Sequence, residues 1–280
     1  MIELIQTFSL IKEQARNRSV PMLFICETSR GYEEYWLKAA RQPSEFDCLV
    51  YELVCQRLAQ LVGLQVPDVA LATVVADSFS PGNLAQNRNL QPGDVVFASR
   101  HLRVPHDMVD KLTRLADRAT FKQYANPLDF IRIALFDLHV DNRDRTEENF
   151  NLLLTKTRPQ QLYVIDHFDC FGSVGLLGRF DTNLPFNLNE TILRANLCQQ
   201  AIRWLDTTAI QQLLTQYQYL CSPVVLSTLV DEVFAAIPAA WTLSPNLADR
   251  LKGALTNRVR LATIAAQVSD FITSCKSTAA

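Results

Sequence analysis

Neither a strong excess of charge of one sign nor a long apolar run occurs in this chain. Its formal net charge is −2 at pH 7, which argues against a nucleic-acid binder that works through a broad basic surface. No run of roughly 18 or more apolar residues is present, so the sequence predicts no membrane span. The amino-terminal segment lacks the apolar stretch and small-residue cleavage site of a signal peptide. We therefore expect a cytoplasmic protein.

Paired cysteines are also absent. The seven cysteines include no C-x-x-C pair, a pattern typical of reduced thiols rather than of a disulfide framework or a zinc site. Hydrophobic residues make up 48% of the chain, which indicates a folded globular protein. With 280 residues, it is long enough for one two-lobed domain or for two small ones.

Strand-like and helix-like segments divide the chain near residue 104. The segments predicted before that point are a hairpin over 21–40, a helix over 44–67 and strands over 68–75 and 94–102. After it, a helix over 126–141 leads into a polar stretch and a second hairpin, and the chain from 190 onward is helix-like. The sequence thus predicts an α+β fold with a β-rich N-terminal lobe, 1–104, and a mainly helical C-terminal lobe, 105–280.

The polar stretch is "VDNRDRTEENFNLLL", residues 140–154, in which charged and amide side chains run straight into an apolar tail. Asp144 and Asn149 stand five positions apart in it, and Asp166 follows inside the apolar segment "VIDHF". Phosphoryl transfer needs such a set: one aspartate orients the attacking hydroxyl, while an asparagine and a second aspartate hold magnesium against the phosphates. The hairpin would place Asn149 at the start of one strand and Asp166 within the other.

Two earlier residues complete the layout of a protein kinase. Lys38 ends the first predicted hairpin, and Glu52 follows on the predicted helix, at the edge of its apolar stripe. The D-x-x-x-x-N spacing alone is common. A strand lysine, a helix glutamate, an acidic loop and a metal-binding aspartate, in that order, are typical of kinases.

These motifs resemble those of the HipA-like serine/threonine kinases and, more distantly, of the phosphatidylinositol 3-/4-kinases. "DRTEENFNLLL" is similar to the family's D-R/A-x-x-x-N-F/P-x-x-L loop, and "VIDHF" is similar to its metal-binding strand. "YELVCQRLAQLVGLQVP" resembles its E-x-x-x-x-x-L-A-x-x-x-G-L-x-V-P helix, and "NPLDFIRIALFDLHVDNRD" resembles the helix before its catalytic loop. The resemblance extends from about residue 20 to about residue 170.

The resemblance implies a bilobal protein-kinase-like fold that uses ATP and Mg²⁺ to phosphorylate a serine or threonine of a protein. Asp144 would be the catalytic aspartate, and Lys38, paired with Glu52, would contact the phosphates and act in catalysis. Asn149 and Asp166 would be the magnesium ligands. "VVFASRHL" resembles the strand whose backbone meets adenine, which implies cofactor contacts at Phe97, Ala98, Ser99 and Arg100. A nucleotide and a protein substrate or partner are the expected ligands.

Departures from the kinase pattern keep two other functions open. No G-x-G-x-x-G loop stands near the first hairpin, and His167 and Phe168 follow the second aspartate, which would suit a pseudokinase that binds nucleotide or docks a protein. A small-molecule kinase of the aminoglycoside type shares the D-x-x-x-x-N spacing, although residues 190–280 are not strongly acidic. The chain is shorter than the HipA toxins, so their association with DNA through an antitoxin is not expected here, and we expect no direct nucleic-acid binding.

Five side chains around the loop receive supporting roles. Asn142 and Asn151 are expected to brace it by hydrogen bonds, and His139 and His167 are expected to be structural histidines. Arg145 either faces a phosphate or pairs with a glutamate of the loop.

Overall fold

The computed structural model describes residues 2–13, 21–79, 90–104, 106–108, 118–146, 149–172 and 191–277. The strands are β1 (Glu3–Glu13), β2 (Met22–Thr28), β3 (Gly31–Lys38), β4 (Val69–Thr73), β5 (Val95–Arg100), β6 (His106–Met108), β7 (Leu152–Thr155) and β8 (Leu162–Val164). The α-helices are α1 (Phe46–Leu61), α2 (Arg118–Phe121), α3 (Asp129–Val140), α4 (Asn196–Trp204), α5 (Thr207–Leu220), α6 (Pro223–Phe234), α7 (Leu247–Leu255) and α8 (Arg258–Ser277). The chain is therefore a mixed α/β structure.

The first five strands close into a barrel in the order β1-β2-β3-β5-β4. Strand β1 runs parallel to β4, and the other neighbours are antiparallel. Closure pairs both sides of each strand and leaves no open sheet edge. The barrel interior is a separate apolar cluster that includes Phe24, Tyr35, Leu37 and Ala98. Since side chains alternate along a strand, the residues between them on β3 lie on the outside of the barrel.

Helix α1 packs against the outside of β4 and β5 and is covered on another side by the C-terminal helices. Leu71 and Phe97 from those strands share its apolar cluster, and Arg57 of α1 pairs with Glu232 of α6 at 3.2 Å. The prediction that Glu52 lies at the edge of an apolar stripe is wrong, because α1 is enclosed on opposite faces and Glu52 is 2% exposed.

Helix α3 crosses the helical part of the chain and delivers the polar stretch. Nearly all of its side chains are buried, and α8 packs along it. Arg260 of α8 donates to the carbonyl oxygen of Leu138 at 2.6 Å, which satisfies an unpaired carbonyl of the last helical turn. The helix ends at Asp141, whose φ of 53° is left-handed. Strand β6, which precedes this helix in the chain, and strands β7 and β8, which follow it, form a small antiparallel sheet.

Candidate active site

Lys38, Glu52 and Asp166 form one ion-paired cluster. Lys38 Nζ donates to Glu52 Oε1 at 2.5 Å and to Asp166 Oδ1 at 2.8 Å. Lys38 is the last residue of β3, Glu52 lies in the second turn of α1, and Asp166 follows β8. The cluster therefore joins the barrel, the helix beside it and the hairpin, which are widely separated in the sequence.

The opposite charges in this cluster stabilise the charged forms of Lys38 and Glu52. Burial alone would raise the pKa of Glu52, but Lys38 and His167 outweigh it and hold that pKa well below its ordinary value. Burial would likewise lower the pKa of Lys38, but Asp166 and Glu52 hold it above its ordinary value. Both groups are thus charged at neutral pH, and the structure keeps a partly buried ammonium beside the hairpin.

Asp166 does not lie in the apolar strand as predicted. Strand β8 ends at Val164, and Asp166 has a φ of 59°. A left-handed residue cannot continue a strand, so the chain turns here and leaves the Asp166 side chain 31% exposed. The next residue is tied to α1: the backbone N–H of His167 donates to Glu52 Oε2 at 2.9 Å.

The second group of predicted residues is centred on Asp144. Its Oδ2 accepts hydrogen bonds from Nδ2 of Asn149 at 3.0 Å and from Nδ2 of Asn151 at 2.8 Å. The Asp144 backbone N–H donates to Oδ1 of Asn142 at 3.3 Å, so Asn142 and Asn151 brace the loop as expected. Asn149 lies before β7, which begins at Leu152, and not at the start of that strand as predicted.

Arg145 joins the two groups and follows neither predicted alternative. It is completely buried and donates to Asp137 Oδ1 of α3 at 3.0 Å and to the carbonyl oxygens of Phe150 and Asn151 at 2.6 Å. The backbone N–H of Ile165, next to Asp166, donates to the same Asn151 carbonyl at 3.1 Å. Sequence reasoning missed its partner Asp137, although an aspartate within an apolar helix was a visible signal.

The residues from Phe97 to Arg100 lie beside Lys38 on β5, between β3 and β4. Phe97 is the cross-strand neighbour of Lys38 on β3 and of Leu71 on β4. Ala98 and Ser99 likewise each pair with one residue on β3 and one on β4. The Arg100 guanidinium contacts Glu33 at 2.7 Å and Asp68 at 3.1 Å. Over this stretch the backbone is paired within the barrel, and the strand ends at Arg100.

Comparison with known proteins connects this geometry to a family. The sequence model of the HipA-like kinases matches residues 11–271. The chain belongs to the HipA-like kinase family. The matched range contains every predicted site residue, from Lys38 to Asp166. No curated protein sequence matches the chain significantly.

Among solved structures, this kinase is similar to the proinflammatory kinase CtkA of Helicobacter pylori. The two share 14% identity with a TM-score of 0.50, and the match covers 98% of each chain. A likeness at that identity supports a common fold and says nothing further about substrate. Within the described residues, no helix is long and apolar enough to cross a membrane.

The kinase site offers oxygen atoms to a metal ion. No group of three or more His, Cys, Asp or Glu side chains capable of holding a metal occurs among the described residues. Asp166 would provide a carboxylate, and Asn149, whose Nδ2 donates to Asp144, would provide an amide oxygen. These are hard ligands suited to Mg²⁺, which retains waters and takes phosphate oxygens, so two protein ligands suffice.

His139 is a structural histidine, as expected, at the end of α3. Its Nε2 lies 2.9 Å from the carbonyl oxygen of Leu255 and its Nδ1 3.3 Å from the hydroxyl of Tyr217. Because a carbonyl only accepts, Nε2 carries the proton. Burial lowers the pKa of His139 to about 4.

This shift predicts an acid-sensitive stability. Unfolding returns His139 to a pKa near 6.5, so below that pH the unfolded state binds more protons and folding stability falls as pH falls toward 4. Between pH 7.5 and 5.5 the loss from this group should be about 1 kcal/mol. Urea unfolding of wild type and His139→Gln at both pH values measures it. The variant should lose less stability by that amount, and equal losses would contradict the assignment.

Proposed function

We propose that this kinase transfers the γ-phosphoryl group of ATP, with Mg²⁺ bound, to a serine or threonine hydroxyl of a protein. Residues 1–104 and 105–280 would act as the two lobes of a bilobal kinase, with the nucleotide between them. The observation that carries the proposal is the linked set of side chains: the Lys38–Glu52–Asp166 cluster, connected through Arg145 and Asn151 to Asp144 and Asn149.

In the proposed mechanism, Asp144 orients the acceptor hydroxyl and takes its proton. Asn149 and Asn151 both donate to Oδ2, and within the described parts of the chain no hydrogen bond reaches Oδ1, so this oxygen is available to the hydroxyl. Lys38 brings a permanent positive charge to the phosphates. Catalysis of this kind relies on positioning and on charges fixed in advance.

Asp166 and Asn149 would hold the magnesium ion, which when bound neutralises phosphate charge. The base would lie near the end of β5, beside Phe97, Ala98, Ser99 and Arg100. The formed ion pair of Lys38 and Glu52 and the braced Asp144 favour an enzyme over a pseudokinase. The preference for a serine or threonine of a protein, over a small molecule, comes from the family.

Thermal unfolding with ATP and Mg²⁺ tests the nucleotide site. Ligand at 100 times its Kd should stabilise the wild-type protein by about 2.7 kcal/mol, which raises Tm by several degrees. Asp166→Asn should abolish the magnesium-dependent part of the shift, because it removes the carboxylate ligand. Asp169→Asn changes a neighbouring aspartate outside the proposed site and should keep the full shift. A magnesium-dependent shift that survives in Asp166→Asn would refute the metal assignment.

A further inference from the structure

Trp36 lies on the same outer face of β3 as Lys38. Tyr35 and Leu37 point into the barrel, where they are 1% and 0% exposed, so alternation turns Trp36 and Lys38 outward. The two outward residues are separated by about 7 Å along the strand. Along β3, Trp36 lies between Lys38 and the turn at Gly31. Glu52 and Asp166 contact the ammonium of Lys38 at the other end of the strand.

The indole of Trp36 is held in place by His101, the first residue after β5. Trp36 Nε1 donates to His101 Nδ1 at 3.0 Å, and the rings are 6.0 Å apart with an interplanar angle of 70°. The backbone N–H of His101 donates in turn to the carbonyl oxygen of Glu34 on β3 at 2.8 Å. Both residues are anchored by the barrel, so the orientation of the indole is set before any ligand binds.

An exposed lysine side chain lies over one face of the indole. The ammonium of Lys12, an exposed residue of β1, lies 5.1 Å from the ring centroid. His101, the hydrogen-bond partner of the indole, also lines a cavity of about 410 Å³ together with Ile25, Glu34 and Leu102. Because Lys12 is exposed, its side chain can turn away from the ring, and this face of the indole is then accessible to a flat ligand.

We propose that Trp36 is the platform on which the base of the nucleotide stacks, and that it favours purines because their two-ring surface stacks over a larger area. The inference rests on the proposed function, which assigns the phosphates to Lys38. From Lys38, the sugar and base extend along the outer face of β3 toward Trp36 and the cavity, because Glu52 and Asp166 occupy the other end.

Stacking of a base on the indole requires Lys12 to leave the ring. A base–aromatic stack is stronger than an exposed cation–π contact, so the exchange favours the bound state. The released ammonium of Lys12 is then available to the anionic ligand. Because His101 already fixes the indole, little ordering of the ring opposes binding.

Nucleotide titration of Trp36→Leu tests this inference. The Kd for ATP–Mg²⁺ should rise by about 5- to 150-fold, the range expected for the loss of one base–aromatic stack. The Kd for tripolyphosphate–Mg²⁺, which has phosphates but no base, should be unchanged. In the wild-type protein, ATP–Mg²⁺ should quench tryptophan fluorescence and tripolyphosphate should not. Trp36→Phe keeps an aromatic platform and should retain most of the affinity while losing the quench.

Trp204→Phe is the matched control. Trp204 packs against Phe121 in the helical part of the chain, with ring centroids 5.4 Å apart, so this variant should keep both the affinity and the quench. If wild type binds ATP–Mg²⁺ and Trp36→Leu binds it equally well or more tightly, the platform is refuted while the proposed function stands. If wild type binds neither ATP–Mg²⁺ nor tripolyphosphate, the proposed function fails as well.

Discussion

Replacing Asp144 by alanine should lower kcat by about 10²–10³-fold, the scale of losing one preorganised polar contact to the transition state. The Kd for ATP–Mg²⁺ should change little, because Lys38, Asn149 and Asp166 remain to hold the ligand. A fall in kcat and kcat/KM together, with nucleotide affinity retained, is the kinetic pattern of an interaction made only in the transition state. Autophosphorylation or transfer to a generic protein acceptor, followed with labelled ATP, measures it.

Two further variants separate the role of Asp144 from general damage to the loop. Arg143→Ala changes the preceding side chain, which is 60% exposed, and should leave kcat nearly unchanged. Asn151→Ala removes one of the two hydrogen bonds to Asp144 Oδ2 and should give a smaller loss than Asp144→Ala. Full activity in Asp144→Ala would rule out the assignment of Asp144 as the catalytic aspartate.

Helix α1 explains how Lys38 and Glu52 are paired in the protein without a ligand. Residues between α6 and α7 hold its start and the strand beside it: the backbone N–H of Ser244 donates to Asp47 Oδ1 at 3.0 Å, and Trp241 Nε1 donates to the carbonyl oxygen of Val95 at 2.8 Å. The Trp241 ring stacks on Phe46 with centroids 5.7 Å apart. Because the helix is fixed at its first turn, Glu52 is positioned before nucleotide arrives.

These long-range contacts mark the limit of sequence reasoning. The first hairpin, α1 and the order from Lys38 to Asp166 could be predicted, since local patterns and spacing encode them. The burial of Glu52 could not, because helices far along the chain cover α1. Asp166 was predicted in a strand because its neighbours are apolar, and no local pattern shows that its backbone turns left-handed. The helix predicted from Asn126 begins only at Asp129, and the roles of the site residues remain predictions.

Arg145→Met should destabilise the protein by about 3–5 kcal/mol, because removing one partner of a buried ion pair leaves the other charge uncompensated. The variant leaves the carboxylate of Asp137 without its cation and removes the guanidinium donor from the carbonyl groups of Phe150 and Asn151, of which Asn151 keeps the N–H of Ile165. Such a loss is a large part of the 5–15 kcal/mol that typically separates a folded domain from its unfolded state. Chemical denaturation of wild type and variant measures it, and a loss below about 1 kcal/mol would contradict the buried pairing.

The double variant Arg145→Met/Asp137→Leu distinguishes stability from catalytic positioning. Apolar replacements of a buried ion pair are often neutral or stabilising, so the second change should recover much of the lost stability. It cannot restore the hydrogen bonds from the guanidinium to Phe150 and Asn151, which connect Arg145 to the segment that leads into β7. We therefore expect kcat to stay at least about tenfold low and the half-saturating Mg²⁺ concentration to stay raised. If recovered stability brings full activity with it, Arg145 serves the fold alone.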